Sequence, residues 1–68
     1  MSTSTVMVTG MTCNHCVASV SEEIGAIPGV TSVDVDLATG RVVIDSTTDL
    51  DPRAVTDAVE EAGYSVSG

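Results

Sequence analysis

The hydrophobic side chains of this chain change their spacing in a fixed order, and that order constrains the fold more than any other feature of the sequence. Apolar residues alternate over Thr5–Thr9 and then recur three and four residues apart from about Asn14 to Ala26. Alternation predicts a strand, and the wider spacing predicts an amphipathic helix. Two further alternating segments, a second helical segment and a short last strand follow at positions 30–37, 41–45, 52–62 and 64–66. The predicted order is β-α-β-β-α-β.

Stop signals separate these segments. Pro28-Gly29 ends the first helix, and Gly40 supplies the positive φ of a tight turn between the two middle strands. Asp51 is the predicted N-cap of the second helix, Pro52 takes its first position, and Gly63 is its C-cap glycine. Two split βαβ units of this kind give a ferredoxin-like α+β fold, which is a four-stranded antiparallel sheet with both helices on one face.

The size and composition of the chain limit what this fold can enclose. The 68 residues make one domain, predicted over residues 5–68 with a flexible N-terminus at residues 1–4. There is no Trp or Phe, and Tyr64 is the one aromatic residue, so the core must be built from aliphatic side chains and methionine. So small a core leaves little room for an enclosed pocket, which argues against an enzyme with an organic substrate.

The charge balance is strongly acidic. Ten acidic residues, two arginines and no lysine give a formal net charge of −8. Phosphate backbones and anionic lipid would repel such a chain, so neither nucleic acid nor a membrane surface is a predicted partner. Cationic partners fit the charge, although the charge alone also suffices to keep a small protein soluble. The sequence shows no targeting segment and no long apolar stretch, so a cytoplasmic location is expected.

The residues with metal and redox chemistry lie in Gly10-Met11-Thr12-Cys13-Asn14-His15-Cys16, where the first strand gives way to the first helix. Cys16 falls in the first helical turn and Cys13 just before it, so both sulfur atoms are expected to face one point. A helix N-terminus carries a partial positive charge, which lowers thiol pKa values and favours thiolates. Thiolates prefer soft cations, and the helix end would stabilise the anionic dithiolate complex of Cu(I) by ~1 kcal/mol. One Cu(I) ion bound by Cys13 and Cys16 is therefore predicted.

The Cys-x-x-Cys pattern alone leaves two other functions open. Half of a zinc site is the weaker one, because Zn²⁺ takes four ligands and the motif offers two thiolates and at most one imidazole. A small dithiol redox protein is the stronger one, because Asn14-His15 can tune the thiol pair, although thioredoxin-type domains are larger than this chain. A redox protein would form a reversible Cys13–Cys16 disulfide and reduce insulin after its metal is removed.

With this motif in place, the chain resembles the heavy-metal-associated domain family, and within it the small bacterial copper chaperones. The resemblance covers residues 5–66 and rests on the 10–16 motif, the apolar stripe of the first helix, Pro28-Gly29-Val30, Gly40 and Ala62-Gly63-Tyr64. It implies the βαββαβ fold, Cu(I) binding by the two cysteines, and delivery to a copper-transporting P-type ATPase whose N-terminal domains share the fold. An excised N-terminal domain of such an ATPase is the alternative that keeps the same chemistry.

The resemblance also bears on the neighbours of the cysteines. Thr12 is typical of the copper-binding members, whereas zinc- and cadmium-binding members often carry Asp at that position. Eukaryotic copper chaperones have a lysine in the loop after the second helix. Tyr64 occupies that region here, as in the bacterial members, and is expected to approach the metal loop and shield it.

Three kinds of residue near the site have both a structural and a functional interpretation. Met11 is predicted to fill the core beneath the site rather than to bind copper as a thioether. His15 is predicted to be a solvated residue of the loop, with a third ligand in a metal-bridged homodimer as the alternative. Glu60 and Glu61 fit either helix propensity or an acidic rim that docks a basic partner. Transfer between thiolates is ligand exchange, so we predict that the protein is not an enzyme.

Overall fold

The computed structural model of the chain describes residues 1–11 and 14–67. Its elements follow the predicted order, and five of the six have boundaries within one residue of those predicted from the sequence, apart from the start of the first strand. They are β1 (Ser2–Thr9), α1 (Asn14–Gly25), β2 (Val30–Asp36), β3 (Arg41–Ser46), α2 (Pro52–Glu61) and β4 (Ser65–Val66). The strands form one antiparallel sheet in the order β2-β3-β1-β4, which is the ferredoxin-like arrangement and confirms the predicted fold class.

The core lies between one face of the sheet and the two helices. Residues directly opposite each other on β1, β3 and β2 point to the same face, as in Val6, Val42 and Val35. The sheet contributes Val8, Val42 and Ile44, and the helices contribute Val20, Ile24, Val55, Ala58 and Val59. The aspartates between the inward valines of β2 are exposed, so the predicted alternation of β2 is confirmed. Aliphatic side chains thus fill the interior without a large aromatic ring.

The first strand begins earlier than the sequence indicates. β1 starts at Ser2 rather than at Thr5, and Ser2, Thr3 and Ser4 pair with Ser46, Asp45 and Ile44 of β3. The prediction that residues 1–4 precede the folded part is therefore wrong for residues 2–4. Hydrophobic alternation missed them because serine and threonine side chains take both positions, whereas backbone pairing with β3 holds the segment in the sheet.

The ends of α2 follow the local signals in the sequence. The Asp51 side chain accepts a hydrogen bond of 2.9 Å from the backbone N–H of Arg53, and Pro52 is the first residue of the helix. At the other end Gly63 has a φ of +94° and donates its N–H to the carbonyl of Glu60 at 2.9 Å. Both signals satisfy backbone groups that the end of a helix leaves unpaired.

The turn between β2 and β3 packs against the end of β1. Gly40 has a φ of +78°, as predicted, and its carbonyl accepts a hydrogen bond of 2.8 Å from the N–H of Val8. A β-carbon built on Gly40 would lie 2.5 Å from the carbonyl oxygen of Val8. Only glycine fits this contact, and it fixes the part of β1 that leads into the cysteine motif.

At the opposite end of the sheet, one polar side chain is fully buried. Ser46, the last residue of β3, is 1% exposed, and its hydroxyl donates to the carbonyl of Thr48 at 2.6 Å. The hydroxyl also lies 3.5 Å from the carbonyl of Ser2. Ser46 thereby ties the start of β1 to the loop that leads into α2. Across the described residues, neither helix has the length and apolar character needed to traverse a bilayer.

Candidate metal centre

The predicted metal loop joins the end of β1 to the start of α1. β1 ends at Thr9, Gly10 follows with a φ of +92°, and α1 begins at Asn14. Cys16 is the third residue of α1, and its side chain is only 9% exposed. Thr12 and Cys13 lie outside the described residues, so the metal loop is described at both of its ends and Cys13 stays a predicted ligand.

The N-terminus of α1 provides a positive electrostatic environment for the Cys16 sulfur. The first N–H groups of a helix have no partner within the helix and carry its partial positive charge. No acidic residue lies in the first turn of α1 to offset that charge. His15 is exposed beside Cys16, and its backbone carbonyl accepts a hydrogen bond of 3.1 Å from the Ser19 hydroxyl. The start of α1 therefore contributes a partial positive charge close to Cys16.

Met11 follows Gly10 at the described start of the loop. It is half-buried and packs against the core cluster that includes Val8, Val20 and Val59. Met11 therefore contributes to the core, and its predicted place beneath the metal stays a prediction. Its packing anchors the described end of the loop to the hydrophobic interior.

Tyr64 packs against the beginning of the loop. It follows the end of α2, and its backbone N–H donates to the carbonyl of Val59 at 3.1 Å. A β-carbon built on Gly10 would lie 3.3 Å from Cδ1 of the Tyr64 ring. The ring therefore lies close to Gly10 at the start of the loop, and its predicted shielding of the metal stays a prediction. Nothing in the sequence pairs Gly10 with Tyr64, apart from the presence of a glycine directly after a strand.

The C-terminal turn of α2 lies close to the same end of the molecule. Glu60 and Glu61 are exposed there, within four residues of Tyr64 along the chain. Nowhere in residues 1–11 and 14–67 do three His, Cys, Asp or Glu side chains come together as a metal site would require. Asp34 and Asp36 on β2 are likewise exposed.

The comparison with protein families decides the relationship. The model of the heavy-metal-associated domain matches residues 5–65. The chain belongs to the heavy-metal-associated domain family. The match contains the end of β1, the cysteine motif, both helices and Tyr64, so the site described above lies within the matched residues.

The relatives of this heavy-metal-associated domain include a small chaperone and a large transporter. The chain is 37% identical over 68 residues to the copper chaperone CopZ of Bacillus subtilis, a match that covers 98% of this chain and 99% of the relative. It is 47% identical over 55 residues to copper-transporting ATPase 2 of Rhizobium meliloti, covering 81% of this chain but 7% of the ATPase. The domain therefore occurs in its relatives both as a separate small protein and as a small part of a large transporter.

Solved structures of a separate chaperone and of a domain from a larger protein both superpose closely on this chain. The structure described as CopZ metallochaperone superposes with a TM-score of 0.91 at 36% identity and covers 97% of this chain and 100% of that one. The N-terminal domain of PacS from Synechocystis superposes with a TM-score of 0.87 at 36% identity and covers 98% and 96% of the two chains. The backbone of the heavy-metal-associated domain is thus nearly the same in both settings.

Proposed function

We propose that this heavy-metal-associated domain is a soluble cytoplasmic copper chaperone. It binds one Cu(I) ion between the thiolates of Cys13 and Cys16 and passes it to a copper-transporting P-type ATPase. The observation that carries the proposal is the position of Cys16, which is buried in the first turn of α1. The start of the loop before it is held by Met11, which packs against the core, and lies close to the Tyr64 ring. A buried thiolate at a helix N-terminus suits a soft cation and excludes water from it.

The relatives support the metal and the partner. A chaperone match that spans 99% of the B. subtilis protein supports a copper carrier built on this domain. The 47% identical segment of the R. meliloti ATPase supports a partner that contains a domain similar to this one. Copper would then move between two similar sites, so the free energy of transfer would be close to zero in either direction.

The proposed transfer is an exchange of ligands with no change in oxidation state. Cu(I) between two thiolates has a net charge of minus one, and a thiolate of the partner adds to the metal to give a three-coordinate species. One thiolate of this chain then leaves, and a second partner thiolate replaces the other. The metal stays Cu(I) throughout, and it is never released to water, because each new sulfur bond forms before an old one breaks.

The second candidate is a metal-binding domain of a copper-transporting ATPase. It is favoured by the higher identity to the ATPase segment, 47% against 37% for the B. subtilis chaperone. Both candidates use the same two cysteines, so they differ in the length of the native polypeptide. An antibody against the domain, applied to a lysate of the source organism, distinguishes a band of about 7 kDa from one the size of a transporter.

The metal site is tested by an anaerobic titration of the reduced protein against a chromogenic Cu(I) chelator. We expect the wild type to withdraw one Cu(I) per chain and Cys13→Ser and Cys16→Ser each to withdraw far less. His15→Asn is the matched control within the same loop, and we expect it to keep the stoichiometry of the wild type. If the chelator retains all the copper, the proposal is wrong, and insulin reduction by the metal-free protein then tests the redox alternative.

Delivery is tested with the loaded protein and the isolated N-terminal domain of a copper-transporting ATPase. After mixing and separation by charge, we expect copper on both proteins in a ratio set by their affinities. The same mixture in the presence of a dialysis membrane between the two proteins is the control for dissociation. Equal transfer rates with and without the membrane would show that copper travels free, which contradicts a direct exchange.

A further inference from the structure

One side of β1 is open along most of its length. β1 pairs with β3 over residues 2–7, but β4 pairs only with Val8 and Thr9 among the residues that the structure describes. One further hydrogen bond of 2.7 Å runs from the N–H of Ser67 to the carbonyl of Met7. Because β4 is only two residues long, the backbone of residues 2–6 has no paired strand on this side among the described residues. We call this stretch the free edge.

The backbone groups that face this edge belong to Thr3 and Thr5. Val8 donates to Gly40 on the β3 side, whereas the Met7 carbonyl accepts on the β4 side. The N–H and C=O groups of successive residues alternate between the two sides of a strand, so those of Thr3 and Thr5 point away from β3. Together they offer two donors and two acceptors to another extended chain.

A groove runs between this edge and the start of α2. Its volume is about 320 Å³, and its lining is Ser4, Thr5, Val6, Leu50, Pro52 and Val55. The inward side chains of an added strand would fall on this side of the sheet, because Ser4 and Val6 point there and paired residues share a face. The groove has room for one or two aliphatic side chains of such a strand.

The rim of the groove is acidic. Asp49 and Asp51 flank Leu50 and are both exposed, and the Asp49 carboxylate accepts a hydrogen bond from the Ser2 hydroxyl at the start of β1. Arg53 is the one cation close to them in sequence, within a chain of net charge −8. A second copy of the chain would bring the same carboxylates against its own, whereas lysine or arginine on the incoming strand would complement them.

We propose that the free edge at residues 2–6 is a docking site for an extended basic peptide segment of another protein. The segment adds as an antiparallel strand beside β1, places alternate aliphatic side chains in the groove, and sets a flanking Lys or Arg against Asp49 and Asp51. This surface is separate from the metal loop, since Thr5 and Gly10 are about 16 Å apart along the extended strand. It gives the protein a means of holding a partner without covering its cysteines.

The test is an amide NMR titration of the reduced, metal-free protein with a capped heptapeptide of sequence Lys-Thr-Val-Thr-Val-Thr-Lys. We expect shift changes and slower amide exchange at Thr3 and Thr5, with little change at His15. Methylating the backbone nitrogens of the peptide threonines removes the donors that face β1 and should weaken binding at least tenfold. Methylating those of the valines changes donors that face solvent, so this matched peptide should still bind.

Two protein variants complete the test. Thr5→Pro removes one N–H on the open edge and no bond to β3, so it should abolish the peptide response and keep a dispersed spectrum and full Cu(I) stoichiometry. Asp49→Asn with Asp51→Asn keeps the cap of α2 and should weaken binding two- to fivefold per carboxylate.

Results of three kinds, from the edge residues, from the control peptides and from the protein alone, would overturn the proposal. The first is the absence of any response at Thr3 and Thr5. The second is equal binding by the same peptide with glutamate in place of lysine, or equal weakening by both methylated peptides. The third is a response at the edge that depends on protein concentration without any peptide, because this would assign the edge to a second copy of the chain.

Discussion

Gly40 and Gly63 form a matched pair for measuring how much the contact between Gly40 and Val8 contributes to stability. Both residues have a positive φ, +78° and +94°. A β-carbon on Gly40 would lie 2.5 Å from the Val8 carbonyl oxygen, whereas one on Gly63 would meet no heavy atom within 4 Å. Replacing each by alanine therefore imposes a similar backbone strain, and only Gly40→Ala adds a steric conflict.

The magnitudes follow from the two contributions. A non-glycine residue in the left-handed region costs about 1–2 kcal/mol, and the lower entropy of the unfolded alanine chain returns about 0.4–1 kcal/mol. We therefore expect Gly63→Ala to lower the free energy of unfolding by about 1 kcal/mol. Gly40→Ala must also separate the turn from β1 and lose the 2.8 Å hydrogen bond from Val8, which adds about 1–2 kcal/mol. Its total loss is about 2–3 kcal/mol.

The assay is urea unfolding of the reduced, metal-free proteins, followed by far-ultraviolet circular dichroism. A domain of this size has a total stability of roughly 3–10 kcal/mol, so the difference between the variants is a large fraction of the whole. A lower midpoint with an unchanged slope means a change in stability rather than in the unfolded ensemble. Equal losses for the two variants, or a larger loss for Gly63→Ala, would refute the argument that the Val8 contact restricts position 40 to glycine.

Three further substitutions test other contacts. Ser46→Ala removes the buried hydroxyl that donates to the Thr48 carbonyl, and urea unfolding should show a loss of about 1 kcal/mol; an unchanged midpoint would contradict this. Asp51→Ala removes the cap of α2 and should cost about 1 kcal/mol by the same assay, whereas Asp51→Asn should cost little, and equal losses would argue against capping. Gly10→Ala places a methyl group against Tyr64, so the ring-proton NMR shifts of the tyrosine should move, and an unmoved ring would exclude the contact.

The fold was predictable where a local signal coincides with a physical need of the backbone. Asp51-Pro52 and Gly63 define α2 because they satisfy or remove the unpaired groups at its ends, whatever the rest of the chain does. Gly40 marks its turn because the turn needs a positive φ. The alternation of β2 identifies a strand with one wet face, and the structure confirms it.

The parts that were not predictable depend on contacts between distant segments. Ser2 and Ser4 belong to β1 only because β3 lies beside them, and no hydrophobic pattern records that pairing. The burial of Ser46 was likewise not predictable, because its hydroxyl lies beside the carbonyl of Ser2, 44 positions away, as well as near Thr48.

At the site, Cys16 was predicted in the first helical turn from its spacing to the rest of the helix, and the structure places it there. The packing of the Tyr64 ring on Gly10 joins residues 54 positions apart, and only the family resemblance pointed to it. Thr12 and Cys13 lie outside the described residues, so their predicted roles stay predictions.

The position of the Tyr64 ring has a practical consequence. Tyr64 is the only aromatic side chain of the protein, and there is no tryptophan to mask it. Its ring touches the backbone at the start of the metal loop, so its ultraviolet absorption and emission come from a single known place. The chain therefore contains an intrinsic optical probe of the loop, and stopped-flow tyrosine fluorescence can follow events there without a label.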